Sequence, residues 1–305
     1  PNRIKELLNP DVLKFIQKNN LYSQGSFQNL KWALIGRGKV GTALINNLKQ
    51  KEQLPLYIVD PLIKQNRLQY TIPQYESIAT LPKNKYSPDI IVFATPDNLD
   101  LTSQLQLLTR KHSNLPFLVH TGGMKSSQQR FPNWPIEKSS LLHPLKSISS
   151  SKTNLFESFW GISTLNSTNK IFRNFIELLE GQTVEIPEGK EALYHCCCSL
   201  AANGTAINLA KTEDLFHKHL DFPQNKSEST IMQLGESALS NLKNAGIIKG
   251  ITGPIARQDW QTIEQHLEAL KKYSPETIQI YLNMLLSFSN LLNVDLPESI
   301  KDLFH

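Results

Sequence analysis

The run Trp32-Ala-Leu-Ile-Gly36-Arg-Gly38-Lys-Val-Gly41-Thr-Ala-Leu constrains this chain more than any other segment. Four apolar residues lead into G-x-G-x-x-G, and Val40, Ala43, Leu44 and Leu48 then recur at helical spacing. In such a strand-to-helix turn the first glycine allows the tight bend. The second lets the backbone approach a pyrophosphate, and the third lets helix and sheet pack closely. Free N–H groups at the helix start supply the positive pole that the phosphates need. The glycine pattern alone is weak, but a second apolar run follows at 56–59. In that context it predicts a dinucleotide cradle built from Gly36, Arg37, Gly38, Lys39, Val40 and Gly41.

Asp60 ends the second run, 60 − 36 = 24 positions after the first glycine. An acid there accepts hydrogen bonds from the adenosine ribose and repels a 2′-phosphate, which favours NAD. Arg37, Lys64 and Arg67 stand nearby in sequence and suit the extra phosphate of NADP, so the cofactor is NAD or NADP. A solvated strand-end acid is the plain alternative for Asp60. Ala94-Thr95-Pro96-Asp97 closes the next apolar run, and His120-Thr-Gly-Gly123 repeats that layout one strand later. Ligands of open α/β sheets sit at such strand ends, so Ala94, Thr95 and Pro96 join the expected cofactor site.

Strand-like runs at 32–35, 56–59, 90–94, 117–120, 160–163 and 183–186 alternate with helical stretches, one of them at 169–179. That is the signature of βαβ units in a parallel sheet. After Pro187 strand signals stop. A long helical pattern covers 188–218, and more helix follows at 227–245, 259–272 and 275–292. With 305 residues, two domains are expected. The division reads as a helical appendage at 1–30, a Rossmann-type α/β parallel-sheet domain at 31–187, and an all-α C-terminal domain at 188–305.

Composition removes several classes. A net charge of +5 without a dense basic block gives no nucleic-acid footprint. No apolar run is long enough to span a membrane, and no signal peptide is evident at the start. The three cysteines, Cys196, Cys197 and Cys198, are consecutive; they offer neither metal-ligand spacing nor a disulfide framework. No metal site is expected, and a reducing cytoplasm is the simplest compartment.

In the helical half, His195, Ser199 and Asn203 share one helix side at 3.6 residues per turn, with Lys190 near the helix start. A surface lysine and a hydrogen-bonded core histidine are the bland reading of that spacing. Several segments match one family in order: Val92-Phe-Ala-Thr-Pro-Asp97, His120-Thr-Gly-Gly123, His143-Pro-Leu145, Lys190 through Tyr194-His195 to Ala202-Asn203, and Thr252-Gly-Pro-Ile-Ala-Arg257-Gln-Asp259 through His266-Leu267. They resemble the Rossmann-like proteins with the domain of unknown function numbered 2520. That group is distantly similar to ketopantoate reductase, pyrroline-5-carboxylate reductase and 6-phosphogluconate dehydrogenase. Thr121 stands where that family more often has serine, and Gln258 where glycine is usual.

The resemblance implies a nicotinamide-dependent oxidoreductase whose C-terminal domain is like that of 6-phosphogluconate dehydrogenase and pairs two subunits. It places His143, Lys190, His195, Asn203, Thr252 and Arg257 around the site. Hydride transfer to a carbonyl or imine needs a proton donor and a holder of developing charge. Lys190, His195 and Asn203 are the expected catalytic set, with Lys190 as acid and Asn203 holding the substrate oxygen. His143, Thr252 and Arg257 are expected to bind a small acidic substrate, with His143-Pro144 stiffening a loop that enters the site, although an ion pair with Asp259 or another acid explains Arg257 equally well. From another functional class, a non-catalytic dinucleotide sensor or scaffold needs the same glycine loop.

Overall fold

The computed structural model describes residues 30–63 and 71–304. The expected N-terminal helix, and Lys64 and Arg67, lie outside these residues. The chain divides into two compact units, one ending at Ser199 and the other beginning at Leu200. Strand structure ends at Ile186, so the first unit keeps one helix beyond its last strand.

The first unit is an eight-stranded sheet in the order β3-β2-β1-β4-β5-β6-β7-β8. The strands are β1 (Trp32–Ile35), β2 (Ile58–Val59), β3 (Gln74–Tyr75), β4 (Ile90–Phe93), β5 (Phe117–His120), β6 (Ser139–Pro144), β7 (Phe159–Ser163) and β8 (Gln182–Ile186). Its first six strands are parallel in the doubly wound order 3-2-1-4-5-6. β7 then returns antiparallel to β6, and β8 lies parallel to β7. The helices are α1 (Lys39–Lys49), α2 (Thr102–Lys111), α3 (Ser127–Arg130), α4 (Lys170–Glu177) and α5 (Glu191–Ser199).

Successive strand residues point to opposite faces, and here both faces are covered. Trp32, Leu34, Ile90 and Val92 pack with Ala43, Leu44, Phe172 and Phe175, which come from α1 and α4. Ala33, Ile35, Ile91 and Phe93 pack with Leu105 and Leu108 of α2 and with Phe131 and Trp134. Burial on both sides is why the central strands read as unbroken apolar runs rather than as alternation. The buried Asn47 of α1 clamps the connection before β7: its amide nitrogen donates to Thr153 O and its oxygen accepts the Leu155 N–H, both at 2.9 Å.

Two strands were not expected from the sequence. β3 is only two residues long, and β6 opens with two serines and ends in proline. Both serines are buried, so β6 is an inner strand despite its polar start.

The second unit contains α6 (Thr205–His219), α7 (Gln224–Ala245), α8 (Trp260–Tyr273), α9 (Ile278–Leu292) and α10 (Glu298–Lys301). A parallel-sheet domain followed by helices is the expected fold class. The unit's own core is Ile255, Ile263, Leu267, Leu282, Leu285, Leu296 and Ile300. The single helix expected over 188–218 is interrupted: Leu200–Gly204 is a π-helical stretch. His195 precedes that stretch, in the first unit, and Asn203 lies within it, in the second.

Candidate functional site

The glycine loop has the shape of a phosphate cradle. Gly36 has φ 91°, and a side chain on it would lie 2.6 Å from the Ala94 carbonyl oxygen. A side chain on Gly41 would sit 2.2 Å from Gly36 O, so α1 packs directly against the turn. A side chain at Gly38, by contrast, would meet nothing within 4 Å. Gly38 caps α1, and no acidic residue occupies the first turn. Open backbone at the positive end of a helix is what a pyrophosphate requires. The residues present therefore fit a dinucleotide.

Asp60 is tied into this loop. Its Oδ2 accepts the Arg37 N–H at 2.6 Å, and its Oδ1 accepts the Leu62 N–H at 2.8 Å. The residue is 9% exposed, so the solvated strand-end acid set against the ribose role is not what the structure holds.

The end of β4 is held by a residue not singled out from the sequence. Arg130 is buried, and its Nη2 donates to Thr95 Oγ1 at 2.6 Å and to Pro96 O at 2.8 Å. Its Nη1 also reaches Asp97 O and Leu99 O. One guanidinium thus fixes the turn over 95–99, whose Thr95 borders Gly36. Asp97 lies against the next turn, where a side chain at Gly122 would come within 1.8 Å of its Oδ1. The buried His120 ring stands 4.0 Å from that oxygen, beyond hydrogen-bond length, and neither ring nitrogen makes a well-formed hydrogen bond among the described residues. Burial, reinforced by Arg130, pushes His120 down to about 3, so it is neutral at neutral pH.

Beside this turn, at the end of β6, stands His143. It lies within a strand, not on the stiff loop expected from His143-Pro144. Gly161 pairs with His143 across β6 and β7. A side chain on Gly161 would fall 2.4 Å from the Tyr194 hydroxyl. Glycine there lets the phenol of α5 lie on the sheet and meet His143 Nδ1 at 2.9 Å. His195, the next residue of α5, packs edge-on to His143 with ring centroids 5.8 Å apart. Gly123 admits both rings: its side chain would come within 2.8 Å of His195 and 3.2 Å of His143. Burial, aided by His195, lowers His143 to about 4. Burial also raises the Tyr194 phenol far above its ordinary value, and the neighbouring Cys198 adds to the shift.

The structure thus gathers His143 and His195, with Tyr194, around Gly123. Lys190 precedes α5, is exposed, and has no side-chain bond to this group among the described residues. Asn203, Thr252 and Arg257 belong to the helical unit and are exposed. Asp259 caps α8 by accepting from Thr262, with 3.2 Å to its N–H and 2.7 Å to its hydroxyl, and forms no ion pair with Arg257 among the described residues. Gln258 adopts the left-handed φ of 55°, a conformation that glycine takes without strain. Cys196 and Cys197 are exposed, and no cluster of metal-binding side chains occurs among the described residues. A hollow of about 440 Å³ lined by Asn84, Tyr86, Asp89, His112 and Phe117 opens at the amino ends of β4 and β5, the opposite end from the glycine loop.

Residues 158–287 match the model of the domain of unknown function DUF2520. That match covers less than half of the chain. Its Lys190–Asn203 and Thr252–Asp259 segments fall inside the matched residues, and the glycine loop lies before them. No curated protein sequence matches the chain. Among solved structures it resembles a Bacteroides fragilis protein provisionally described as an NADP oxidoreductase. That likeness has 16% identity, a TM-score of 0.66, and coverage of 87% of this chain and 100% of the other. A Thermotoga maritima protein shares 18% identity at a TM-score of 0.64, covering 86% and 98%. Plasmodium falciparum pyrroline carboxylate reductase, solved with NADP bound, shares 14% identity at 0.55, covering 88% and 100%. These likenesses concern the fold.

Proposed function

We propose that the chain is an NAD(P)-dependent oxidoreductase acting on a small carbonyl or imine substrate. The observation that carries this reading is the meeting of His143, Tyr194 and His195 over Gly123, at the same strand ends as the open glycine cradle. A bound nicotinamide supplies or accepts the hydride. The chain's own task is to bind that group, orient the substrate and move one proton.

Gly36, Arg37, Gly38, Lys39, Val40, Gly41 and Asp60 form the cradle, and Ala94, Thr95 and Pro96 form its wall, positioned by Arg130. His143 is neutral at neutral pH, and Tyr194 keeps its proton. In this reading the phenol donates to Nδ1, which leaves the ring proton on Nε2. In this reading His143 is a hydrogen-bond donor to the substrate, and His195 or Lys190 delivers the proton. Asn203 holds the developing charge, and Thr252 with Arg257 binds an acidic substituent.

A second copy of the chain is the proposed partner of the C-terminal helices, and a reducing cytoplasm the proposed compartment. No helix among the described residues is long and apolar enough to cross a membrane.

The test is titration with NADH and NADPH by nicotinamide fluorescence, followed by a screen of small carbonyl and imine acids for cofactor oxidation. Binding with turnover that His195→Ala or Lys190→Ala reduces at least about tenfold supports the reading. Binding without turnover of any substrate moves the chain to the sensor class. Binding of neither cofactor by folded protein removes the nicotinamide assignment.

A further inference from the structure

The strand order β2-β1-β4-β5 decides which way a dinucleotide must lie. Its pyrophosphate belongs at the glycine loop after β1 and its adenosine at the end of β2. Its nicotinamide half then runs the other way, over the ends of β4 and β5. Asp97 stands between those two ends. Its Oδ1 is buried, accepts no hydrogen bond among the described residues, and would lie 1.8 Å from a side chain at Gly122. The side chain as a whole is 21% exposed, so the part that opens outward excludes Oδ1. A carboxylate oxygen shut off from water and left without a donor is costly to keep. Positive charge placed near it lowers that cost.

We infer that Asp97 makes this site hold the oxidised nicotinamide, a cation, more tightly than the neutral reduced ring, given the proposed reading of the loop as a dinucleotide cradle. The two forms share every other part and differ by one hydride, so a fixed charge near the ring is what tells them apart. Two cations oppose Asp97. The Arg130 guanidinium is buried and spent on Thr95 Oγ1 and on the carbonyl oxygens of Pro96, Asp97 and Leu99. Lys125 follows the β5 turn. Both act on the buried His120, whereas at His143 the formal charge felt is that of Asp97. His120 and His143 are themselves neutral at neutral pH, so neither ring cancels it. The carboxylate therefore dominates on the side of the turn where His143, Tyr194 and His195 meet. A site that favours the oxidised form makes its bound reduced cofactor a stronger hydride donor, by about 30 mV for each tenfold of preference. That bias points the chain toward reducing its substrate.

The experiment is isothermal titration calorimetry of the full chain with the oxidised and reduced forms of whichever dinucleotide binds. Adenosine diphosphate ribose, which lacks the nicotinamide, is the control. The wild type is expected to bind the oxidised form at least as tightly as the reduced one. Asp97→Asn keeps the shape and removes the charge. The oxidised form should then weaken about tenfold relative to the reduced form, while binding of the control stays within about twofold. An Asp97 that only shapes the turn would weaken both forms alike. An unchanged ratio therefore overturns the inference, whatever happens to the control. Tighter binding of the reduced form by the wild type overturns it as well, and that comparison decides alone if Asp97→Asn fails to fold. Binding of no dinucleotide is a different failure, because it removes the proposed cradle and the preference with it.

Discussion

In the sheet unit, all four residues of β1 and all four of β4 are buried. In the helical unit, α6 buries none of its 15 residues, and the 22-residue α7 buries only Ser227 and Ile231. The sequences do not differ in kind, since α6 and α7 carry Ile207, Met232, Leu234 and Leu239. These side chains are 51–63% exposed. The sheet faces are covered by helices from the same unit, as buried parallel strands must be. The helical pair has its apolar residues and little within its own unit to set them against. At roughly 25 cal/mol per Å² of apolar surface, such faces gain from a partner. The sheet unit stores stability, and the helical pair holds a surface in reserve for the proposed second copy.

The largest expected effect tests that contrast directly. Trp160→Ala removes a fully buried side chain from β7 and should cost about 3–5 kcal/mol in urea unfolding. Ile207→Ala, on α6, should cost under about 0.5 kcal/mol when the protein is dilute enough to be monomeric. Equal losses at both positions would erase the distinction between the units.

Acid should strike the sheet unit first. His143 ordinarily titrates near 6.5 and is lowered to about 4 in the fold. Between those values the unfolded chain binds a proton that the folded chain refuses, so stability falls as pH falls. Above 6.5 both states are neutral and the effect vanishes. By linkage His143 alone is worth roughly 3 kcal/mol of stability lost on acidification to pH 4. His120, lowered to about 3, deepens the loss. His143→Asn keeps an acceptor for Tyr194 and should flatten the profile in that window. An unchanged slope would mean that this ring is not held neutral.

Much of this sheet could be read from the residues, and the reason is burial. β5 falls at 117–120 as expected, and β1 at 32–35, because apolar runs covered on both faces announce themselves. β6 escaped because Ser139 and Ser140 are buried while looking like a turn. Missing it put His143 on a loop. The cradle was legible because its glycines are local, whereas the pairing of His143 with Tyr194 depends on Gly161, far away in sequence. Arg130 was invisible for the same reason: its acceptors at 95–99 lie more than thirty positions earlier. The π-helical turn at Leu200–Gly204 has no compositional signature at all. Gln258 is the converse case, for its left-handed φ is one that the glycine expected there from the resemblance takes without strain.

The helical faces give the next contrast. Ile207→Asp combined with Leu234→Asp places two charges on the exposed apolar side chains of α6 and α7. If a second copy covers them, the dimer dissociation constant should rise about a hundredfold, since an unpaired charge at a buried contact costs a few kcal/mol. Sedimentation velocity across a concentration series reads this directly. A wild-type chain that stays monomeric at all concentrations would leave these faces without the proposed partner.

Cysteine chemistry gives the smallest effect and tells where such a covered face stops. Cys196 and Cys197 are exposed on α5, beside the exposed Leu193, although α5 belongs to the sheet unit. Cys198 is half-buried against Tyr194. With a thiol-reactive dye, the monomeric double variant should show two fast thiols and one slow. In the wild type at dimeric concentration, the two fast thiols should slow by about tenfold if the second copy extends over α5. Cys198 should be slow in both, because its shield is the phenol beside it. Equal rates for Cys196 and Cys197 in variant and wild type would confine the interface to the helical unit. The exposed face of α5 would then be ordinary surface, and the boundary between stored stability and reserved surface would coincide with the division after Ser199.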